Sequence, residues 1–432
     1  MGIKHHIFNI IFFFCCNSII SATVSSDTIS FSGKKSVEHV VDAGESLNSI
    51  AKFYSLSTED IKTANDLSKN LYYKQLLYIP VYLNLEKSKI DLDNSVSDDA
   101  DTNITNVALF LPYYVAKNDT LEIEDSLKYV NDFYSKSESS LSFHLGVELA
   151  LDSLKHSGKK INLFCFDTNQ DSLQVTQIIE SDTLNIMDII IGPMYSKLFY
   201  LLSKKYGNDS TKILISPLSR ENKSRSYSSV YQIALTHAIQ SQKLVEYLIE
   251  NASKESIIII HDAKHADIIN KAKYNFKEEN LIVKDYNFSD ISDIEEICKD
   301  SQNVLLISTN KALVSRALSS MGALDIPLTV FSFEALQNYT SLDINNLMSL
   351  NVHIINTRSI DLNSHFDTTF VNSFQKKYLT SPQKYSKIGY DIIMHFLGDT
   401  KIYNFKKLNP GCYENTFAPI FRYNNYVLEK IH

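Results

Sequence analysis

Tryptophan is absent from this sequence, and glycine is scarce, with 11 residues among 432. Phosphate-binding loops and the Gly-x-Ser-x-Gly turn of serine hydrolases need closely spaced glycines, and neither arrangement occurs. The metalloprotease pattern His-Glu-x-x-His is missing as well. We therefore predict no catalytic activity and no cofactor. Tyrosine (25) and phenylalanine (23) still supply aromatic surface that can stack on sugars.

The charge balance has no excess of cations. The formal net charge is −8, so the electrostatic pattern of a nucleic-acid-binding protein is missing. Hydrophobic residues make up 44% of the chain, which is ordinary for a globular protein. Because 432 residues exceed what one hydrophobic core usually serves, we expect at least two folded units.

Cysteine is also rare, and its five copies form no Cys-x-x-Cys pair or Cys/His cluster with metal-ligand spacing. No metal site is predicted from them. Cys165 lies in the apolar run 162–167 and is predicted to be a small buried side chain. Cys298 and Cys412 could form a disulfide in an oxidising compartment, while inert thiols are the favoured alternative.

The N-terminus has the three-part form of a secretory signal peptide, which we place at residues 1–25. Lys4 precedes an apolar run over residues 7–20, and small residues follow the run. The run is short for a bilayer core of about 30 Å, so cleavage is favoured over a membrane anchor. Cys15 or Cys16 could carry a lipid, but phenylalanines stand where a lipidation motif has a small residue. We expect export to the periplasm or cell envelope.

Residues 37–82 combine a β-branched segment, a turn at Gly44, two short amphipathic helices and a strand that stops at Pro80. This region resembles the lysin motif (LysM) family in Val41, Gly44-Glu45-Ser46-Leu47, Ile50-Ala51, Tyr54, Asn65 and Leu77-Tyr78-Ile79-Pro80. His39 replaces the usual aromatic residue, and Lys74 replaces a common glycine, which leaves the glycan affinity open.

The LysM resemblance implies binding of peptidoglycan, through its N-acetylglucosamine-containing glycan, in a shallow groove between two loops. The loop residues implied on this chain are Asp42, Ala43, Gly44, Glu45, Ser46, Leu67, Tyr72 and Tyr73. The two tyrosine rings could contact sugar faces or pack within their loop. Asn65 is predicted to be a structural hydrogen-bonding residue rather than a sugar contact.

Residues 83–105 are rich in Asp, Asn, Ser and Lys and are predicted to be a solvated linker. Beyond them, apolar runs alternate with helical stretches such as 142–154 and 240–250. This pattern predicts an α/β fold with parallel sheets covered on both faces, arranged as two Rossmann-like lobes over residues 106–432 with crossovers near 233 and 357. The predicted strands are 106–112, 160–167, 187–192, 212–216, 256–261, 281–286, 303–308 and 327–333.

Several weak motifs follow one another in this region. They are residues 107–112, Gly146 with 150–152, residues 188–193, residues 215–219 and Gly389-Tyr390-Asp391. In this order they resemble the type I periplasmic-binding-protein fold, particularly the branched-chain amino-acid-binding group. Fused to LysM, this domain resembles exported proteins of the Bacteroidetes. The resemblance implies two lobes that close on a ligand by a hinge motion.

Ligands of open parallel sheets bind beyond the carboxyl ends of the strands. The inter-lobe cleft is therefore expected to contain Tyr195, Ser196, Leu218, Ser219, His261 and Glu334. In the amino-acid-binding relatives, hydroxyl side chains hold the ligand carboxylate and an acid of the second lobe holds its amine, which implies Ser196, Ser219 and Glu334 here. The two serines could equally cap helices, and Glu334 could be a solvated loop acid.

His261 stands where those relatives place an aromatic residue, which argues against an amino-acid ligand. His261 and His265 are four residues apart and could share a metal ion. No third ligand stands in register with them, so a solvated turn is favoured.

The sequence therefore predicts a non-catalytic cell-envelope protein that binds peptidoglycan through LysM. Its large domain would bind a small solute, such as an amino acid or peptide-like molecule, or a protein partner. The alternative is a regulatory scaffold of peptidoglycan-synthesising or hydrolysing enzymes with no small-molecule ligand.

Overall fold

The computed structural model of the protein describes residues 29–31, 34–41, 46–53, 56–65, 67, 71, 75–80, 104–119, 133–220, 223–251, 256–291, 293–299 and 301–432. The chain divides into two units, residues 2–102 and residues 103–432. The predicted signal peptide lies outside the described residues, as does the predicted linker up to residue 103. Within these described ranges, no helix is both long and apolar enough to cross a membrane.

The small unit contains strands β1 (Ile29–Phe31), β2 (Lys34–Val40) and β3 (Leu76–Pro80) and helices α1 (Leu47–Phe53) and α2 (Thr58–Asn65). The strands form an antiparallel sheet in the order β1-β2-β3, so the two helices lie in sequence between paired strands. Strand β1 was not predicted. The core of this unit consists of Val41, Ile50, Ala51, Ile61, Leu77 and Ile79.

Asn65 ties the end of α2 to β3. Its amide nitrogen donates to the carbonyl oxygens of Ile61 at 2.9 Å and Tyr78 at 2.7 Å. Its amide oxygen accepts the N–H of Tyr78 at 2.6 Å. The structural role predicted for Asn65 is therefore observed. At the other end of α2, the Ser57 hydroxyl accepts the N–H of Asp60 at 3.1 Å, which caps the helix.

The large unit alternates strands with helices. Its strands are β4 (Thr105–Leu111), β5 (Ile161–Asp167), β6 (Ile189–Ile191), β7 (Ile213–Ser216), β8 (Val230–Gln232), β9 (Ile257–His261), β10 (Val283–Asn287), β11 (Asn303–Ile307), β12 (Thr329–Ser332), β13 (His353–Ile355), β14 (Phe405–Lys407), β15 (Tyr413–Asn415), β16 (Ile420–Asn424) and β17 (Val427–Lys430). Its α-helices are α3 (Val115–Asp119), α4 (Glu138–His156), α5 (Ser172–Glu180), α6 (Ser196–Tyr206), α7 (His237–Asn251), α8 (Ala266–Glu278), α9 (Ile294–Cys298), α10 (Lys311–Gly322), α11 (Ile344–Ser349), α12 (His365–Tyr378) and α13 (Lys384–Phe396).

These strands form two sheets, one in each lobe. The first lobe has the order β14-β15-β8-β7-β6-β4-β5, and the second has β10-β9-β11-β12-β13-β16-β17. Pairing is parallel except at one end of each sheet, where β14 pairs antiparallel to β15 and where β16 pairs antiparallel to both β13 and β17. The predicted α/β class with mostly parallel sheets is confirmed.

Strand β9 shows why continuous apolar runs mark these sheets. Ile258 and Ile260 pack into one core of the second lobe, whereas Ile257 and Ile259 pack into another. Alternate side chains of a strand point to opposite faces, so a strand covered by helices on both faces needs apolar residues at every position.

The chain passes between the two sheets three times. It leaves the first sheet after β8, returns after β13 to form α12 and α13, and crosses again between β15 and β16. The third passage was not predicted. All eight predicted strands are present, but β8 and β13 to β17 were missed because they are short and carry no long apolar run.

Helices α4 and α13 cross in very close contact. A Cβ atom on Gly146 would overlap the backbone of Ser386, and one on Gly389 would overlap the carbonyl oxygen of Phe143. The hydroxyls of Ser142 and Ser386 are 3.0 Å apart at the same crossing. The two glycines therefore allow the returning helices to pack on the first lobe.

The three cysteines of the large unit differ in their exposure to solvent. Cys298 is buried in a core of the second lobe and Cys412 in the core of the first, and they form no disulfide. Burial raises the pKa of each thiol to about 11. The predicted burial of Cys165 is wrong: its side chain is exposed, because β5 is the edge strand of its sheet.

Candidate functional site

The predicted cleft residues follow four strands, two in each lobe. Tyr195 and Ser196 follow β6, and Leu218 and Ser219 follow β7. His261 ends β9, and Glu334 begins a 3-10 turn that follows β12. All of them lie at the carboxyl ends of parallel strands, where open α/β sheets place their ligands.

Glu334 is the most constrained of these residues. Its side chain is 2% exposed. One carboxylate oxygen, Oε2, lies 2.6 Å from Nη2 of Arg220. The other, Oε1, accepts the hydroxyl hydrogen of Thr357 at 2.8 Å and lies 3.2 Å from Nε of Arg358. The alternative of a solvated loop acid is therefore wrong.

The contact with Arg220 joins the two lobes. Arg220 follows β7 of the first lobe, whereas Glu334 follows β12 of the second. The carbonyl oxygen of Arg220 accepts a bond from Gln232 at 3.1 Å, and the N–H of Glu334 donates to Gln240 at 3.0 Å. Both ends of the ion pair are thus held by the backbone as well as by their side chains.

Burial by itself raises the pKa of Glu334, but the charges of Arg358 and Arg220 outweigh burial, so its pKa lies below the usual value. The carboxylate is consequently ionised at neutral pH. The pKa of the neighbouring His237 falls to about 4, first through burial and then through the charge of Arg220. That imidazole is neutral at pH 7 and packs against Phe333, with ring centroids 5.2 Å apart.

A second carboxylate at the strand ends, that of Asp167, accepts hydrogen bonds from the backbone. Asp167 ends β5, and its Oδ1 accepts the backbone N–H groups of Tyr113, Tyr114 and Asn169 at 2.9, 3.2 and 2.9 Å. Its Oδ2 accepts the N–H of Val115 at 2.8 Å. This carboxylate fixes the loop that leaves β4.

The two serines differ in their surroundings. Ser196 is the first residue of α6; the capping position is Tyr195, whose side chain makes no capping bond and is 41% exposed. Ser219 lies in the loop after β7, and no helix begins there among the described residues. Neither serine therefore occupies a helix-capping position. Their proposed contact with a ligand carboxylate stays a prediction.

The two histidines of the predicted turn do not converge. His261 Nε2 lies 3.7 Å from a carboxylate oxygen of Asp285 on β10. The ring of His265 instead meets His237, with centroids 5.4 Å apart. The part of the chain that the structure describes contains no group of three side chains able to hold a metal ion.

The predicted LysM loops are described only at Ser46, which is exposed, and Leu67, which is half-buried. The other loop residues lie outside the described residues, namely Asp42, Ala43, Gly44, Glu45, Tyr72 and Tyr73.

Sequence reasoning missed Arg220 and Arg358. One signal was available: the chain has only five arginines, and each of these two follows a strand of the large unit. Arginine is the cation best suited to paired contacts with a carboxylate. Nothing in the sequence, however, indicates that both contact the same acid.

No protein-family model and no curated protein matches the chain. Solved structures do match. One is a putative branched-chain amino acid ABC transporter from Rhodospirillum rubrum, with a TM-score of 0.59 and 11% identity over 76% of this chain and 100% of that chain. Another is an ABC transporter substrate-binding protein from Desulfitobacterium hafniense, with a TM-score of 0.51 and 13% identity over the same shares.

The C-domain of LpoA from Haemophilus influenzae, a regulator of PBP1A, has a TM-score of 0.49 and 10% identity over 76% of this chain and 100% of that chain. At such identities only the fold can be transferred. The large unit has a two-lobed type I periplasmic-binding-protein-like fold.

Proposed function

We propose that this protein is a non-catalytic cell-envelope protein that binds peptidoglycan through its small unit and uses its two-lobed domain to bind a protein partner rather than a free amino acid. The observation that carries the second part is the ion pair between Glu334 and Arg220. A cleft acid that receives an amino-acid ammonium must be free of other cations, and here it is bonded to two guanidinium groups.

The contacts of Glu334 with the two arginines oppose the binding of an amino-acid ammonium at this site. An incoming ammonium would have to displace a half-buried arginine from the buried carboxylate, and breaking a buried ion pair costs up to about 3 to 5 kcal/mol. Each 1.4 kcal/mol is about a tenfold change in affinity. A site of about micromolar affinity would therefore weaken to about the millimolar range.

The support for peptidoglycan binding is the LysM resemblance, together with the order β2, α1, α2, β3 within the small unit. The support for export is the sequence of residues 1–25. The support for a non-catalytic role is that Glu334 and Asp167 are bonded to groups of the chain itself. A module bound to the cell wall would place the large domain beside peptidoglycan-synthesising or hydrolysing enzymes, which are the partners that we propose.

A thermal-shift screen of the mature chain against amino acids and muropeptides tests this proposal. A ligand at 1,000 times its dissociation constant stabilises a protein by about 4 kcal/mol, which is a shift of several degrees. We expect no shift with any free amino acid. A flat screen together with co-purification of a peptidoglycan synthase or hydrolase supports the proposal, whereas stabilisation by one amino acid contradicts it.

A further inference from the structure

A groove lies beside the Glu334 ion pair. It has a volume of about 420 Å³ and is lined by the turn Glu334–Asn338, the segment after β13, the β16–β17 hairpin and Lys384 of α13. Pockets of about 300 to 1,000 Å³ hold small ligands or single side chains of a larger partner. The groove is therefore large enough for one or two side chains.

The groove carries net positive charge. Arg358 and Lys384 line it, and the acid in its wall, Glu334, is already bonded to Arg220 as well as to Arg358. Lys384 Nζ lies 3.4 Å from a neutral partner, Oδ1 of Asn338. The charged residues that line the groove are thus two cations and one carboxylate, and that carboxylate is also paired with Arg220. An anionic group would balance the charge.

Asn356 adds a hydrogen-bond donor to the groove. Its side chain oxygen accepts the N–H groups of Arg358 and Ser359, each at 3.0 Å, and the residue is 2% exposed. Its amide nitrogen has no hydrogen-bond partner among the described residues. Because Asn356 lines the groove, this amide is a donor that a carboxylate in the groove can accept from.

One wall of the groove is an edge strand. β17 ends the sheet order of the second lobe, so its backbone groups on the side away from β16 are not paired within the sheet. Tyr426 and Val427 are 68% and 60% exposed at the start of this strand. An extended peptide can add to such an edge through main-chain hydrogen bonds.

We propose that an extended acidic segment of a protein partner adds as a strand to β17 and places a carboxylate beside Arg358 and Lys384. The inference rests on the proposed function, because it assigns the chemistry of the partner that the large domain would bind. The edge strand favours a peptide over a free anion: a small anion can satisfy the cations, but only an extended chain can also pair with the backbone of β17.

Selection of a displayed random peptide library on the full-length chain tests this inference. We expect selected peptides to carry an aspartate or glutamate between apolar residues in an alternating pattern. The variant Lys384→Gln should bind these peptides about tenfold more weakly, since it loses one charge-assisted hydrogen bond. The matched control is Lys406→Gln, which alters an exposed lysine on β14, the edge strand of the other sheet, and should bind them unchanged.

A synthetic copy of a selected peptide then separates the two contacts in a fluorescence anisotropy titration. Methylation of the backbone nitrogens on one edge should abolish binding, and replacement of its acid by glutamine should weaken binding about tenfold. Selected peptides without an acid, or equal binding by both lysine variants, would overturn the groove assignment and leave the proposed function standing. Displacement of the peptide by a free amino acid that also stabilises the chain would instead overturn the proposed function.

Discussion

Removal of the Arg220 guanidinium is the most informative perturbation of this protein. The variant Arg220→Met keeps an apolar stem of similar length but leaves Glu334, which is 2% exposed, with one fewer cation. Loss of one partner from a buried ion pair typically costs about 3 to 5 kcal/mol. Because Arg358 and Thr357 still contact Glu334, we expect a loss of about 2 to 3 kcal/mol in the free energy of unfolding.

Urea unfolding at neutral pH measures this loss in Arg220→Met, Glu334→Gln and the double variant. A coupling energy of about 2 kcal/mol between the two positions is expected, since directly bonded side chains are not additive. The matched control is Arg422→Met, which breaks an Arg–Glu pair of 3.0 Å whose side chains are 38% and 40% exposed. That exposed pair should contribute little to stability, because solvent screens it. Equal losses at Arg220 and Arg422 would refute the buried inter-lobe ion pair.

The same ion pair predicts a pH dependence. The pKa of Glu334 is lowered in the folded chain, so its contribution to stability is present above the unfolded value of about 4.3 and is lost as pH falls through the lower folded value. The stability advantage of the unaltered chain over Glu334→Gln should therefore be constant near neutral pH and should shrink below about pH 4.3. An advantage that grows on acidification would contradict this assignment.

Three further predictions concern packing and the small unit. The variant Gly146→Ala should lower the free energy of unfolding by about 3 kcal/mol, because its methyl group overlaps the backbone of the facing helix. The control Lys155→Ala, on the exposed side of the same helix, should have little effect, and urea titration compares the two variants. The variant Asn65→Ala should lower the stability of the small unit by about 1 to 3 kcal/mol, since it leaves both backbone groups of Tyr78 without their bonds to Asn65. Thermal unfolding of the small unit measures this loss. Sedimentation with purified peptidoglycan should retain the full-length protein but not a version without residues 37–82, and equal sedimentation of the two would exclude peptidoglycan binding by this region.

The local hydrophobic pattern predicts some strands of this fold and not others. Runs such as Ile257 to Ile260 predict buried parallel strands because both faces of those strands meet a core. Strands β14 to β17 have no such pattern. They are short, partly exposed strands toward the sheet ends, and all their pairings except that of β15 with β8 are antiparallel. The pairing of β16 and β17 depends on a third passage of the chain between the lobes.

The close contact between helices α4 and α13 could be predicted from the sequence only in part. In the sequence, Gly146 and Gly389 are only parts of weak motifs. Their physical role depends on a contact between helices that are far apart in the chain, where each glycine meets the backbone of the other helix. The sequence marks such positions but does not pair them.

Hydrophobic periodicity and the geometry of parallel strands are enough to predict the α/β class, most of the strands and the edge of the sheets at which a site would lie. The same pattern predicts Glu334 at that edge. The contacts of Glu334 could not be predicted, since Arg220 is 114 residues away and belongs to the other lobe. Charge pairing depends on distance in space, and that distance is fixed only when the two sheets have folded and come together.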